Sequence, residues 1–201
     1  MPNLLSVVVG RLPCYPRLMR EFAKLGFLCA ILMLAGCSSG PPGQSAKALT
    51  KQKVDPAVLA ALPPDPGKAG KVTLAGIDRD HDGVRDDVQR WIAIHYANSE
   101  KTRAALKQKA KALEAFIKDG NNPTKAKRDA VAIDKASECL VSFADDAFYI
   151  NHDFDAVVLN TYPRLKAYLD INKKYDIAPT SNSRRGHWKQ SCDFNPDAMK
   201  N

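Results

Sequence analysis

Residues 78–87 read Asp-Arg-Asp-His-Asp-Gly-Val-Arg-Asp-Asp, with carboxylates at Asp78, Asp80, Asp82 and Asp86 and Gly83 where a tight loop must turn. Clustered carboxylate and carbonyl oxygens suit a hard cation, and calcium takes roughly six to eight of them in a flexible shell. Counting from Asp78 as the first position, Asp80 is third, Asp82 fifth and Gly83 sixth. Val84 is seventh, offering its carbonyl and leaving its side chain free to pack; Asp86 is ninth, ligating directly or through water. Gln89 falls at the twelfth and last position. Its neutral amide offers one oxygen where Glu offers two and a charge, so Asp87 is the alternate carboxylate. Magnesium demands a tighter octahedron, and zinc lacks a Cys or His pattern here, since His81 at the fourth position points outward. Without a metal, the same acidic turn would simply favour a helix N-terminus through Asp86 and Asp87.

The Asp-x-Asp-x-Asp-Gly core resembles the loops of EF-hands, dockerins and thrombospondin type 3 repeats, and that resemblance implies calcium as the bound cofactor. It covers residues 78–89 alone. The preceding stretch, residues 71–77, carries Gly76 and β-branched residues without a helical period, which predicts an extended lead-in rather than an entering helix. EF-hands work in pairs and switch by opening a helix pair. A single loop without that partner reads as a structural staple.

The other chemical signal is at the start. Residues 25–36 are apolar or small, follow Arg20 and Lys24, and end in Leu34-Ala35-Gly36-Cys37. A charged segment followed by a short apolar one is a secretory signal, too short to span a bilayer comfortably. The last four residues resemble the lipobox of bacterial lipoproteins. The resemblance implies cleavage before Cys37, acylation of that residue, and attachment to a membrane through lipid. Two or more chains anchor stably where one does not. Met19 is a better-placed start than Met1. Ser38 and Ser39 follow the cysteine where an inner-membrane lipoprotein of a Gram-negative bacterium carries Asp, which implies the outer membrane, lipid-anchored and facing the periplasm. The chain as a whole resembles small bacterial lipoproteins with one Asp-rich loop ahead of a helical domain, a resemblance that carries no established activity.

Removing residues 1–36 takes away Arg11, Arg17, Arg20, Lys24 and Glu21, which lowers the net charge of +8 by three. That mild positive charge suits anionic lipid or glycan surfaces and argues only weakly for nucleic acid, against which an envelope address also argues. Of the five cysteines, Cys14 and Cys29 leave with the signal and Cys37 is lipidated. Cys139 and Cys192 remain as an even pair in an oxidising compartment, which predicts a disulfide closing a loop of about 50 residues and stabilising by about 2–4 kcal/mol.

Residues 37–53 are rich in Ser, Gly, Pro, Gln and Lys and read as a lipidated tether; residues 54–201 read as one helical domain. Asp55-Pro56 opens a short helix through Leu62. From Asp86, the residues Val88, Trp91, Ile92, His95 and Tyr96 make one helical face, and Asn98-Ser99 breaks the run. Leu106, Ala110, Leu113 and Ile117 form the next stripe, stopped by Gly120. Asn122-Pro123 starts another, with Ile133, Ala136, Leu140, Phe143 and Ala147 inward. Asp153 caps a further helix, or a pair broken at Pro163, running to Tyr175 with Val157, Val158, Leu165 and Leu169 inward. Residues 177–201 read as a strap fixed by Cys192. The class is all-α, a small irregular helical bundle preceded by the Asp-rich loop.

Catalytic residues are not predicted. His95 reads as packed on a helix face, and His152-Asp153 and Asp145-Asp146 are adjacent pairs whose members diverge. Arg103, Lys107 and Lys111 read as a wet helix face. Arg184, Arg185, His187, Trp188 and Lys189 make a basic and aromatic cluster suited to headgroups or a glycan. The leading expectation is a non-enzymatic envelope lipoprotein presenting a surface to a protein or glycan partner. The rivals are a periplasm-facing hydrolase of cell wall or lipid, and an inhibitor or chaperone-like subunit.

Overall fold

Caps and prolines start the helices where the sequence places them. In the computed structural model, which describes residues 54–177 and 187–200, Asp55 accepts a hydrogen bond from the Ala57 N–H at 2.9 Å and opens α1 (Pro56–Ala61). Ser99 caps α3 (Glu100–Asp119) through the Thr102 N–H, and Asn122 caps α4 (Pro123–Val141) through the Lys125 N–H. Between them, α2 (Asp86–His95) begins directly out of the Asp-rich loop, with Asp86 and Asp87 in its first turn. Two helices complete the bundle, α5 (Ala147–Val158) and α6 (Tyr162–Tyr175), and no strand occurs among the described residues. None of these helices is long and apolar enough to cross a membrane. Cys37, the signal segment, the tether, Arg184 and Arg185 lie outside the described residues.

α3 and α4 form the most extensive helix pair; α2, α5 and α6 pack against α3, and α1 packs on α2. The main core joins Val84, Val88 and Ile92 to Leu106 and Leu113 of α3, Leu140 of α4, and Phe154 and Val158 of α5. A smaller cluster of Phe116, Ile117, Ala126 and Ile171 closes the far end. The disulfide between Cys139 and Cys192 is formed, with a Cα–Cα distance of 4.8 Å. It pins the strap, whose 3-10 turns span Trp188–Ser191 and Pro196–Ala198. Gln108 of α3 holds the strap at both the Ser191 carbonyl and the Asp193 N–H, and the Lys200 carbonyl accepts from the Glu100 and Lys101 N–H groups. The strap thereby satisfies donors that the start of α3 leaves open.

Four expectations need correction. The stripe assigned to α4 runs too far, since the helix ends at Val141, Phe143 lies in the following turn, and Ala147 opens α5. Asp153 caps nothing, because it sits inside α5, exposed beside His152 at 3.5 Å. Leu165 and Leu169 face outward, being 43 % and 56 % exposed, while α6 buries Arg164 and Ile171 instead. A charged residue on the inner face shifts the apparent apolar stripe, which is why periodicity misplaced it. Gly120 does follow α3, but with φ of −60° it is not a left-handed cap; a Cβ there would collide with the Ile171 side chain, so the position needs close approach.

Candidate metal centre

The loop is wound on its own side chains. Gly83, at φ 85°, donates its N–H to Asp78 Oδ2 at 3.1 Å, and Val84 donates to Asp82 Oδ1 at 2.9 Å. His81 also has positive φ, 56°, so the chain reverses twice and folds the carboxylates inward. The loop closes where the Asp86 N–H meets the Ile77 carbonyl at 2.8 Å, tying the lead-in to the first residue of α2. Val84 buries its side chain completely in the core, as the seventh position allows.

Asp78, Asp80 and Asp86 bring one carboxylate oxygen each within 4.8 Å of one another. Opposite oxygens of a calcium shell stand about 5 Å apart, twice the usual ligand distance, so this spacing suits a common ion. Gln89 completes the set from one turn into α2. It is 4 % exposed, and its Nε2 donates at 2.9 Å to Asp80 Oδ2 and at 2.9 Å to Asp82 Oδ2. Its Oε1 is buried without a hydrogen-bond partner among the described residues, and so is Asp78 Oδ1. Hydrogen bonding from Gln89 holds the Asp80 carboxyl below the usual carboxylate range, outweighing the opposing effect of desolvation. An all-oxygen donor set with two orphaned oxygens fits a hard cation.

Three residues predicted for the site have other partners as well. Asp82 lies outside the tight group and pairs with Lys107 Nζ at 3.1 Å, so Lys107, still partly exposed to solvent, is also a counterion of the loop. Arg103 of that stripe also has a structural task, donating to the Tyr96 and Ala97 carbonyls at the end of α2. Asp87, the alternate ligand, faces away and pairs with Arg85 at 3.0 Å and Asn160 at 3.0 Å. Burial pushes its carboxyl up, but the Arg85 hydrogen bond and charge, with Asn160 and Arg164, bring it below the usual range. Asp86 is fully buried and takes both the Arg79 N–H and the Arg79 guanidinium at 2.9 Å.

Sequence reasoning missed what anchors the loop to the bundle, two arginines with no exposed surface. Arg85 binds Asp87 and the Val158 carbonyl, while its own N–H donates to Glu114 of α3. Arg164 reaches from α6 to the carbonyls of Gly70, Thr73 and Leu74, so the lead-in is irregular but clamped. Burial lowers the Arg164 pKa, and the neighbouring Arg85 charge adds to that effect. Gly76 lets the two guanidinium groups approach: its φ is +65°, and a Cβ would strike Arg85 Cδ and lie 2.9 Å from Arg164 Nη2. Gly76→Ala is therefore expected to lower stability by about 2–4 kcal/mol, combining left-handed strain with the displacement of buried side chains. Urea unfolding checks this, and a loss below about 0.5 kcal/mol would contradict the packing described.

Glu114 gives the hub a pH dependence. Burial raises its pKa from 4.5 to about 7, only partly opposed by Arg85, whose guanidinium is 3.8 Å away and turned to Asp87. A raised acid binds its proton more tightly in the folded chain, so its contribution is present at low pH and is lost as pH climbs from about 4.5 through 7. Its share is about 3 kcal/mol at most. Glu114→Gln is expected to flatten the fall in stability between pH 5 and 8 in chemical-denaturation scans. The lowered carboxyls of Asp80 and Asp87 act oppositely, losing stability only below about pH 4.

The other sequence candidates do not converge. His95 stacks on Trp91 with ring centroids 4.1 Å apart, and Asp145 and Asp146 are exposed. His187, Trp188 and Lys189 belong to the strap, where Lys189 pairs with Asp197 at 2.6 Å. The chain matches no protein-family model, no curated protein and no solved structure.

Proposed function

We propose that residues 78–89 bind one calcium ion as a structural staple, in an envelope lipoprotein whose helical body acts as a non-enzymatic binding module. The supporting observation is the group of Asp78, Asp80 and Asp86 with buried Gln89 beside it, two of whose oxygens, Asp78 Oδ1 and Gln89 Oε1, have no partner among the described residues. Calcium held there supplies positive charge to converging carboxylates. Asp78, Asp80 and Asp86 would hold it, with Val84 through its carbonyl and Gln89 through Oε1 once its amide turns Nε2 away from Asp80 and Asp82; Asp82 would contribute when Lys107 yields. The role is mechanical, since the ion joins the lead-in to the first turn of α2, which Arg85 and Arg164 then fix to α5 and α6.

The lipobox-like run ending at Cys37 supports a lipid anchor, and Ser38 and Ser39 support the outer membrane, with the folded body in the periplasm and a protein or glycan as partner. A melting scan in 2 mM calcium and then in chelator tests the staple, because a ligand of the native state must raise stability. An upward shift of several degrees, reversed by chelator, is the expected result, and identical curves would refute it. Cross-linked purification from envelopes tests the binding role. One stoichiometric partner is expected, whereas a solitary protein turning over wall fragments would favour a hydrolase.

A further inference from the structure

The face of α2 turned away from the metal group lines a separate open cleft of about 650 Å³, bordered by Asp65, Lys68 and Lys71, by Arg90, Trp91, Ile94 and His95 of α2, and by Val157 and Asn160. Its size falls within the range of small-molecule sites, and its wall has the usual composition, mainly apolar with a few placed polar groups. Trp91 and His95 are stacked at an interplanar angle of 19° and form a rigid aromatic flank, with Ile94 and Val157 adding aliphatic surface. The His95 Nδ1 lies 2.8 Å from the Trp91 carbonyl. A carbonyl only accepts, so Nδ1 carries hydrogen and fixes the ring.

The charges on this wall are unbalanced. Lys68 and Lys71 have no ion pair among the described residues, and Arg90 makes a hydrogen bond only to the Pro63 carbonyl. Of the two acids present, Asp87 is paired with Arg85 and Asn160, whereas Asp65 keeps its charge while accepting from the Gly67 N–H, so three cations face one uncommitted carboxylate. Cations lining an apolar, aromatic cleft recognise a ligand with an apolar body and an anionic head.

We propose that the cleft between residues 65–71 and α2 binds a small organic anion, with a carboxylate or phosphate head at Lys68, Lys71 and Arg90 and an apolar ring against Trp91, His95 and Val157. The cavity is built by residues outside the metal group, so this inference does not rest on the calcium reading. Phenyl phosphate and phenylacetate are the probes, with benzyl alcohol and inorganic phosphate as controls. Calorimetry and the two indole N–H signals of a ¹⁵N-labelled chain are the readouts, assigned with Trp188→Phe. Saturable binding of the ring-bearing anions is expected, at least tenfold tighter than either control, with the Trp91 signal shifting and that of Trp188 fixed. The exposed pair Lys68→Glu/Lys71→Glu should retain the wild-type melting curve and bind at least tenfold more weakly. Equal binding by the wild-type and doubly substituted chains, equal binding of benzyl alcohol, or no saturation by the anions at 10 mM would overturn the proposal.

Discussion

Replacing Arg164 with Met is expected to lower stability by about 2–4 kcal/mol, a fall in Tm of roughly 10 °C. The side chain has no exposed surface and satisfies four acceptors, the carbonyls of Gly70, Thr73 and Leu74 and Asn160 Oδ1. Methionine fills much of the volume but donates nothing. The Leu74 and Thr73 carbonyls belong to exposed residues and regain water, whereas Gly70 is buried and its carbonyl loses its donor. Against this stands a gain, since the substitution removes a desolvated charge that lies beside Arg85. The orphaned acceptors outweigh that gain because the Asp87 and Glu114 charges offset part of the repulsion between the two guanidiniums. Lysine should recover only part of the loss, because one ammonium cannot span acceptors on both residues 70–74 and Asn160. Thermal melts of the three proteins at pH 7 check the order Arg, Lys, Met. A Met variant as stable as wild type would show that the lead-in is not held from α6.

Gln89→Glu is expected to make the fold depend on calcium much more strongly. In chelator, the new carboxylate stands where Nε2 now lies 2.9 Å from both Asp80 and Asp82, and three like charges replace two hydrogen bonds. That change should cost about 2–3 kcal/mol. With calcium the sign reverses, because the last position then offers two charged oxygens, and affinity should rise on the order of tenfold. Melting curves with and without calcium should therefore move apart relative to wild type. A uniform destabilisation that calcium does not rescue would mean Gln89 is only a cap for the acidic turn. Lys107 works in the same direction on a smaller scale, since its ammonium at 3.1 Å from Asp82 competes with any added cation.

The fold was largely legible because its helix starts are chemically marked. Asp55-Pro56, Ser99 and Asn122-Pro123 each predict a cap, and each cap is present. Where marking fails, so did the reading: α5 has no side-chain cap at Asp146, and its start was placed too late. The site divides in the same way. Alternating carboxylates and Gly83 are a local pattern, read directly from spacing. Arg85 and Arg164 are not, because a cation on a helix or loop ordinarily reads as solvated, and nothing local says that both lie in the core. Glu114 hides for a related reason, sitting beside Leu113 on a charge-rich helix that also buries Lys109. The cleft beside Trp91 joins residues 65–71 to residues near 90 and 160, a juxtaposition that only the tertiary fold creates.

The most direct test of the staple is calorimetric titration of calcium into the wild-type chain and into Asp80→Asn. Asp80 is exposed and carries no core packing, so its substitution should leave the fold intact while removing one charged ligand. The account predicts one ion per chain, with a Kd on the order of 0.1–1 mM for a lone loop with a neutral last ligand, weakened at least tenfold in the variant. No saturable heat up to 10 mM calcium, or equal binding by both proteins, would contradict it.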